Sequence, residues 1–108
     1  MNNPNESNFI TAAVIGKYCV IRGRGFGVFA GTVEAVGDTC ILVKNARRLW
    51  YWDGAASISQ IAMEGVTVPK NCKFSMAVES IVLRDYIEII PTTAQAQKCI
   101  KEVKVWKR

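Results

Sequence analysis

The sequence predicts an α+β fold: an antiparallel β-sheet, for which strong coiling is one option, with two short α-helices. Three observations predict it. Residues with β-branched side chains concentrate in runs of strand length. The pair Gly37-Asp38 separates two such runs, which is typical of a β-hairpin. Two capping boxes, Ser57-x-x-Gln60 and Thr92-x-x-Gln95, each precede apolar residues at helical spacing.

The first part of the chain predicts a polar leader followed by the edge of a folded domain. Residues 1–8 are rich in asparagine and are expected to be a disordered leader, and residues 9–108 are expected to form a single ligand-binding domain. Phe9 to Ile15 is small and apolar and predicts a helical turn that Gly16 ends. Tyr18 to Arg22 is a strand by its β-branched content.

The next stretch predicts a loop and a hairpin. Gly23 to Gly27 reads GRGFG, with glycine at alternate positions. Such a loop can bring backbone N–H groups close to an anion and place Arg24 beside it; the alternative is a flexible hairpin turn. Val28 to Val36 and Thr39 to Lys44 are the two strands of the hairpin.

The second half predicts one helix on either side of a long strand. Ile58, Ile61 and Ala62 recur on one face of the first helix. Val78 to Ile90 alternates like a strand, but Asp85 falls in register with its apolar positions. The pattern therefore predicts a bulge, a kink or a paired inward charge there, and a salt bridge to an arginine is the explanation that we favour.

Composition excludes several classes of protein and indicates an anionic partner. The 108 residues carry a formal net charge of +5 and no histidine. The four cysteines form no CxxC pair, so reduced thiols are expected, and a zinc site is not. No apolar run is long enough to cross a bilayer. We expect no cofactor, no metal and no membrane association.

The stretch from Asn45 to Gly65 carries the strongest functional signal. It begins NARRLWYWDG, with adjacent arginines beside three aromatic residues. A guanidinium pairs with phosphate oxygens while a base stacks on a ring, so this composition suits a phosphate-bearing ring compound. In an extended chain Arg48, Trp50 and Trp52 share one face, and Arg47, Leu49 and Tyr51 share the other. The alternative is that the rings fill a core while the arginines are solvated.

This stretch also resembles a known family. The run NARRLWYWDGAASISQIAMEGV, with CKF at Cys72 to Phe74 and IEIIP at Ile87 to Pro91, is similar to small phage-encoded proteins that include the Thoeris anti-defence sponges. The similarity extends from about Tyr18 to Trp106. It implies a symmetric oligomer, a dimer or a trimer of dimers, with recessed pockets in the host cytoplasm. Such pockets would sequester cyclic ADP-ribose isomers or cyclic oligonucleotides without cleaving them.

The resemblance and the residue types together give a set of candidate ligand-binding residues. Arg47, Arg48 and Phe74 match the family motif most directly, whereas the loop with Arg22 and Arg24 departs from it. No catalytic residue is predicted, because no histidine is available as a general base and the carboxylates are scattered. The alternatives are a single-stranded nucleic-acid-binding module and a phage accessory protein that binds a host protein. The candidate ligand-binding residues are Arg47, Arg48, Phe74, Asn45, Trp50, Arg22, Arg24 and Arg84.

Overall fold

The computed structural model describes residues 4–108 and confirms the α+β fold with an antiparallel sheet. Six strands are accompanied by three helices in these residues, one helix more than the sequence predicted. The first helix begins within the expected leader, whose first three residues lie outside the described residues. The elements are α1 (Pro4–Val14), β1 (Tyr18–Gly23), β2 (Val28–Val36), β3 (Cys40–Tyr51), α2 (Ile58–Glu64), a 3-10 turn (Pro69–Asn71), β4 (Lys73–Phe74), β5 (Val78–Arg84), β6 (Tyr86–Pro91) and α3 (Ala94–Glu102).

The sheet is strongly coiled, because β5 and β6 are separated by a single kinked residue and yet lie at opposite edges of the sheet. The strand order is β4-β3-β2-β1-β6, and β5 also pairs with β3. Only Asp85 separates β5 from β6, yet these strands pair with β3 and β1 respectively. The sheet therefore curls until its two ends meet at this residue, although it is not closed by hydrogen bonds between β5 and β6.

Asp85 makes the kink through its backbone. Its φ of 57° is in the left-handed region, and its N–H donates to the Thr39 carbonyl at 3.2 Å. Its own carbonyl accepts from the Arg24 N–H at 3.0 Å. Among the described residues Asp85 takes part in none of the ion pairs. The favoured salt bridge is therefore absent from the described part of the chain, and the kink is the correct alternative.

Both faces of the sheet are covered, so adjacent residues of one strand lie in different cores. Tyr18 and Val20 of β1 pack with α2 and α3 in a cluster that we call the α2/α3 core. Cys19 and Ile21 pack on the other face with Val14 of α1, in a cluster that we call the α1 core. Alternation of two buried faces explains why β1 reads as a continuous apolar run.

A β-bulge in β3 decides which face each residue of the central motif occupies. Ala30 pairs with Arg47, whereas Thr32 pairs with Lys44, so the single residue Gly31 lies opposite both Asn45 and Ala46. Asn45 is the first residue of the bulge and has a φ of 51°, which is the left-handed conformation found at this position in G1 bulges. The extra residue shifts the alternation and places Arg47 in line with the α2/α3 core.

The helices begin and end at capping residues. Ser57 caps α2 by accepting from the Gln60 N–H at 3.2 Å, as its capping box predicts, and Gly65 ends this helix with a φ of 81°. The N-cap of α3 is Thr93, whose hydroxyl accepts from the Ala96 N–H at 3.0 Å. The predicted cap, Thr92, instead donates its hydroxyl to the Tyr18 carbonyl at 2.7 Å.

No helix in the described part of the chain is both long and apolar enough to cross a bilayer.

The bulge predicts that Gly31 tolerates no side chain. A Cβ atom at this position would lie 2.6 Å from Val43 Cγ1 and 2.9 Å from the Lys44 carbonyl oxygen. We expect Gly31→Ala to lower the free energy of unfolding by about 1–3 kcal/mol, because strand β3 must move. Urea denaturation measures this change. The control is Gly25→Ala, since a Cβ there meets nothing within 4 Å; equal stability of the two variants would contradict the account.

Candidate functional site

The two adjacent arginines of the central motif lie in different environments. Arg47 is 4% exposed and faces the α2/α3 core. Arg48 is half-buried and contacts Phe29, a residue of the α1 core. The sequence prediction that Arg48 and Trp50 share a face is supported by their contact, with the guanidinium carbon 5.2 Å from the indole ring centre.

The guanidinium of Arg47 is bonded to the backbone of two separate segments. Its Nε–H donates to the Ser75 carbonyl at 2.7 Å, and Nη2 donates to the Phe74 carbonyl at 3.2 Å. Nη1 donates to the carbonyls of Ile100 and Val103 at 2.7 and 2.8 Å. Four of its five N–H groups therefore join β3 to the last residue of β4, to the residue that follows it, and to the end of α3.

This geometry assigns Arg47 a structural role that the sequence prediction did not include. Burial lowers the pKa of Arg47, and the nearby Tyr18 opposes that change. An arginine retains its charge even so, and charge-assisted hydrogen bonds offset the cost of burying it. One N–H group remains for any other partner.

Phe74 is also a core residue. Its side chain is fully buried, and the guanidinium carbon of Arg47 lies 5.6 Å from its ring centre. The ring therefore presents no open face on which a ligand could stack. Its position is that of a core residue, and its expected contact with a ligand is not supported.

Arg48 is held by aromatic rings at the edge of an open cleft. Its guanidinium carbon lies 4.3 Å from the ring centre of Phe29, its partner across the β2–β3 ladder. One Nη1–H donates to the Phe26 carbonyl at 2.7 Å. Trp50, which is 62% exposed, covers Arg48 from the solvent side. Cation–π contacts of this kind orient the guanidinium without consuming its N–H groups.

The cleft beside Arg48 has a volume of about 710 Å³. Arg84 contributes a second cation, and Asp85 contributes a carboxylate. Neither Arg48 nor Arg84 belongs to an ion pair among the described residues. Apolar side chains form the rest of the wall, namely Phe26, Phe29, Ile81, Val82 and Leu83. The arrangement provides cations for an anionic group and apolar surface for a ring.

The other predicted site residues lie elsewhere. Arg22 is exposed and pairs with Glu88, with Nε and Oε1 2.8 Å apart. Arg24 lines a separate depression of about 290 Å³ next to Asp38 and Thr39. Asn45 lies with Arg47 at a third depression, on the α2/α3 side. The structure thus brings Arg48 and Arg84 together in the cleft and places Trp50 against Arg48. Arg22, Arg24 and Asn45 lie outside this cleft.

The two aromatic residues that line the cleft were not predicted from the sequence. Phe29 and Phe26 pack edge to face, with ring centres 5.7 Å apart and an interplanar angle of 63°, and both contact Arg48. For the GRGFG loop the sequence predicts an anion-binding role of the backbone and Arg24, and no role of Phe26. The signal for Phe29 was the strand register, because the residue that pairs with Arg48 must lie beside it.

The cysteines are separate thiols. Cys19 and Cys72 are buried, Cys40 and Cys99 are half-buried, and all four are free. Burial raises the pKa of Cys19 to about 11, and the nearby Lys17 lowers it by less. This thiol is therefore protonated and unreactive near neutral pH. Among the described residues no group of three or more histidine, cysteine, aspartate or glutamate side chains could hold a metal ion.

The structural role of Arg47 predicts a large loss of stability on its replacement. Arg47→Met leaves the carbonyls of Ser75, Ile100 and Val103 without their donor, and we expect a loss of about 3 kcal/mol or more in the free energy of unfolding. Urea denaturation measures it. Arg22→Met is the matched control and should cost less than about 1 kcal/mol, because its ion pair is exposed. The same small loss for both variants would exclude the structural role.

Comparison with known proteins gives one match. No curated protein and no solved structure matches the chain. Residues 16–100 match the family described as a domain of unknown function, DUF6948. The matched range begins two residues before β1, ends within α3, and includes Arg47, Arg48 and every strand of the described residues. The chain is therefore a member of the DUF6948 family.

Proposed function

We propose that this protein binds a phosphate-bearing ring compound of the cyclic nucleotide class in the cleft beside Arg48 and sequesters it without cleaving it. One observation carries the proposal: the guanidinium of Arg48 is fixed against Phe29 and Trp50 at the mouth of a cleft that also contains Arg84. The cations fit the phosphates, and the apolar wall with the exposed indole fits the base.

The donors of Arg48 favour an anionic ligand. One of its five N–H groups is bonded to Phe26, and among the described residues the others make no hydrogen bond to the protein. A phosphate can accept two parallel bonds from one guanidinium. The carboxylate of Asp85, which also lines the cleft, is suited to accept from a ribose hydroxyl or a base N–H.

The size of the cleft also supports the proposal. Its volume of about 710 Å³ lies within the range of small-molecule sites, which is about 300–1,000 Å³. Sequestration requires nanomolar affinity, which corresponds to a binding free energy of roughly −12 kcal/mol. An open cleft in a single chain does not exclude water well enough for such an affinity. We therefore propose that a second copy of the chain covers the ligand, in agreement with the oligomeric sponges that the motif resembles.

The sheet edge next to the cleft is suited to such an assembly. Strand β5 pairs with β3 on one side and has no strand on its other side among the described residues. Met76, Val78 and Val82 are exposed along this segment. An unpaired edge with exposed apolar side chains is a common surface for association between copies of one protein.

Single-stranded nucleic acid is a second candidate ligand, and a different surface favours it. Lys73 Nζ lies 5.9 Å from the ring centre of Tyr51 and 5.6 Å from that of Trp106. A groove of about 620 Å³ beside Trp106 is lined by Lys70, Lys104 and Lys107. Stacking rings among lysines are typical of a single-strand-binding surface.

Replacement of Arg48 tests the proposed site. The protein is incubated with a panel of cyclic nucleotides, free ligand is removed, and the protein is heated so that mass spectrometry identifies any ligand released intact. For the ligand found, Arg48→Met should weaken binding about ten- to a hundredfold, because a charge-assisted contact is lost. Arg48→Lys should recover only part of the affinity, since lysine makes no two-pronged contact.

The control for this experiment is Arg22→Met, which removes the same charge from an arginine outside the cleft. Full affinity of the Arg48→Met variant would exclude the cleft as the site. Release of a cleaved product would exclude sequestration. Binding of single-stranded DNA or RNA that falls steeply with salt, with no cyclic nucleotide retained, would favour the second candidate.

The need for a second copy gives a separate prediction. Light scattering at micromolar concentration should give at least twice the chain mass of 12.0 kDa. Val82→Lys should reduce the mass towards that of one chain, because it places a charge on the exposed face of the edge strand. The control is Met63→Lys on α2, which is exposed on a different element. A parent protein that scatters as a monomer would contradict the enclosed site.

A further inference from the structure

A small depression on the α2/α3 side of the sheet has the features of a second, separate binding site. Its volume is about 310 Å³, and Tyr18, Asn45, Arg47 and Lys101 contribute its polar groups, with Val103 and Val105 among its apolar ones. We propose that this depression, called here the Tyr18 pocket, binds a small oxyanion through a phosphate or carboxylate group. It goes beyond the proposed function, because it shares no residue with the cleft beside Arg48.

The first argument is a buried hydroxyl without a partner. Tyr18 is 5% exposed, and its hydroxyl oxygen is fully buried with no hydrogen bond among the described residues. Buried polar groups are almost always hydrogen-bonded, because an unpaired one loses its contacts with water and gains nothing. Within a pocket, such a hydroxyl indicates a ligand atom that completes it.

The protonation of Tyr18 is compatible with an anionic partner. Burial raises the pKa of Tyr18 to about 12, and the charge of Arg47 lowers it by less. The hydroxyl is therefore protonated at neutral pH and acts as a hydrogen-bond donor. It can therefore donate to an anionic oxygen.

The other polar groups of the pocket are donors or cations too. Arg47 has one Nη2–H left after its four bonds to backbone carbonyls. Lys101 Nζ lies 5.1 Å from the centre of the Tyr18 ring. The Asn45 amide is the fourth polar group, and no carboxylate lines the pocket. Two cations and a neutral donor around one small space favour an anion.

The end of α3 would ordinarily repel an anion from this position. The last carbonyls of a helix carry partial negative charge. Here the carbonyls of Ile100 and Val103 are already bonded to Arg47, at 2.7 and 2.8 Å. The arginine thus neutralises the helix end and still presents positive charge to the pocket.

Titration with two simple anions tests the Tyr18 pocket. Inorganic phosphate and sodium acetate are added separately to the 15N-labelled full chain at constant ionic strength, and backbone NMR shifts report the position of binding. We expect saturable shifts at Asn45, Ala77 and Lys101. The stronger of the two probes indicates whether the natural group is a phosphate or a carboxylate.

Two variants separate binding from packing. Tyr18→Phe keeps the buried ring and removes only the hydroxyl, so it should weaken the bound anion about tenfold. Without anion its melting temperature should equal or exceed that of the parent, because an unpaired buried group has been removed. Lys101→Met should also weaken binding about tenfold, whereas Lys98→Met, on the same helix but outside the pocket, should change it less than about twofold.

The same titration distinguishes the Tyr18 pocket from the cleft beside Arg48. Arg48→Met should leave these shifts intact, so failure of cyclic nucleotide binding at the other cleft does not affect this test. Equal anion affinity of Tyr18→Phe and the parent would overturn the proposal, as would shifts spread over all exposed lysines or none that saturate. A lower melting temperature of Tyr18→Phe without anion would assign the hydroxyl a structural role and would also overturn it.

Discussion

The fold depends on the buried guanidinium of Arg47. Strand β3 is the central element of the sheet, since it pairs with β2, β4 and β5. The chain after β4 already contacts β3 beside Arg47, since the Ser75 N–H donates to the Arg48 carbonyl at 2.9 Å, whereas among the described residues no strand pairing joins the end of α3 to β3. The guanidinium connects these segments by hydrogen bonds to four backbone carbonyls. A buried cation is costly when isolated, but here its charge is offset by hydrogen bonds to four backbone carbonyls, of which that of Phe74 also accepts from the Trp106 N–H at 2.9 Å.

The bulge opposite Gly31 makes this arrangement possible and also places Arg48 on the other face of the sheet, at the cleft. Without the extra residue the alternation along β3 would be reversed beyond Asn45, and Arg47 would face the α1 core. With it, one arginine stabilises the fold and its neighbour lies at an open cleft. Arg47 therefore contributes to stability and Arg48 to the proposed binding. Replacing Arg47 should lower the stability, whereas replacing Arg48 should weaken ligand binding.

Features that depend on local sequence were predicted correctly, whereas features that depend on tertiary contacts were not. The strands, the hairpin and the cap at Ser57 follow from composition and spacing, and the structure contains all of them. The burial of Arg47 and Phe74 depends on the bulge and on the distant residue Ile100, neither of which leaves a local signal. The N-cap of α3 is Thr93 and not the predicted Thr92, because the Thr92 hydroxyl donates to the Tyr18 carbonyl, which is distant in sequence.

The division between the two arginines can be measured directly in the NMR signals of their Nε–H groups. Arg47 Nε–H is bonded at 2.7 Å to the Ser75 carbonyl in a buried position, so it should exchange with water slowly and should shift little when a cyclic nucleotide is added. The Arg48 Nε–H should exchange fast in the free protein and become protected in the complex. Fast exchange of Arg47, or a ligand-induced change at Arg47 and none at Arg48, would contradict the account.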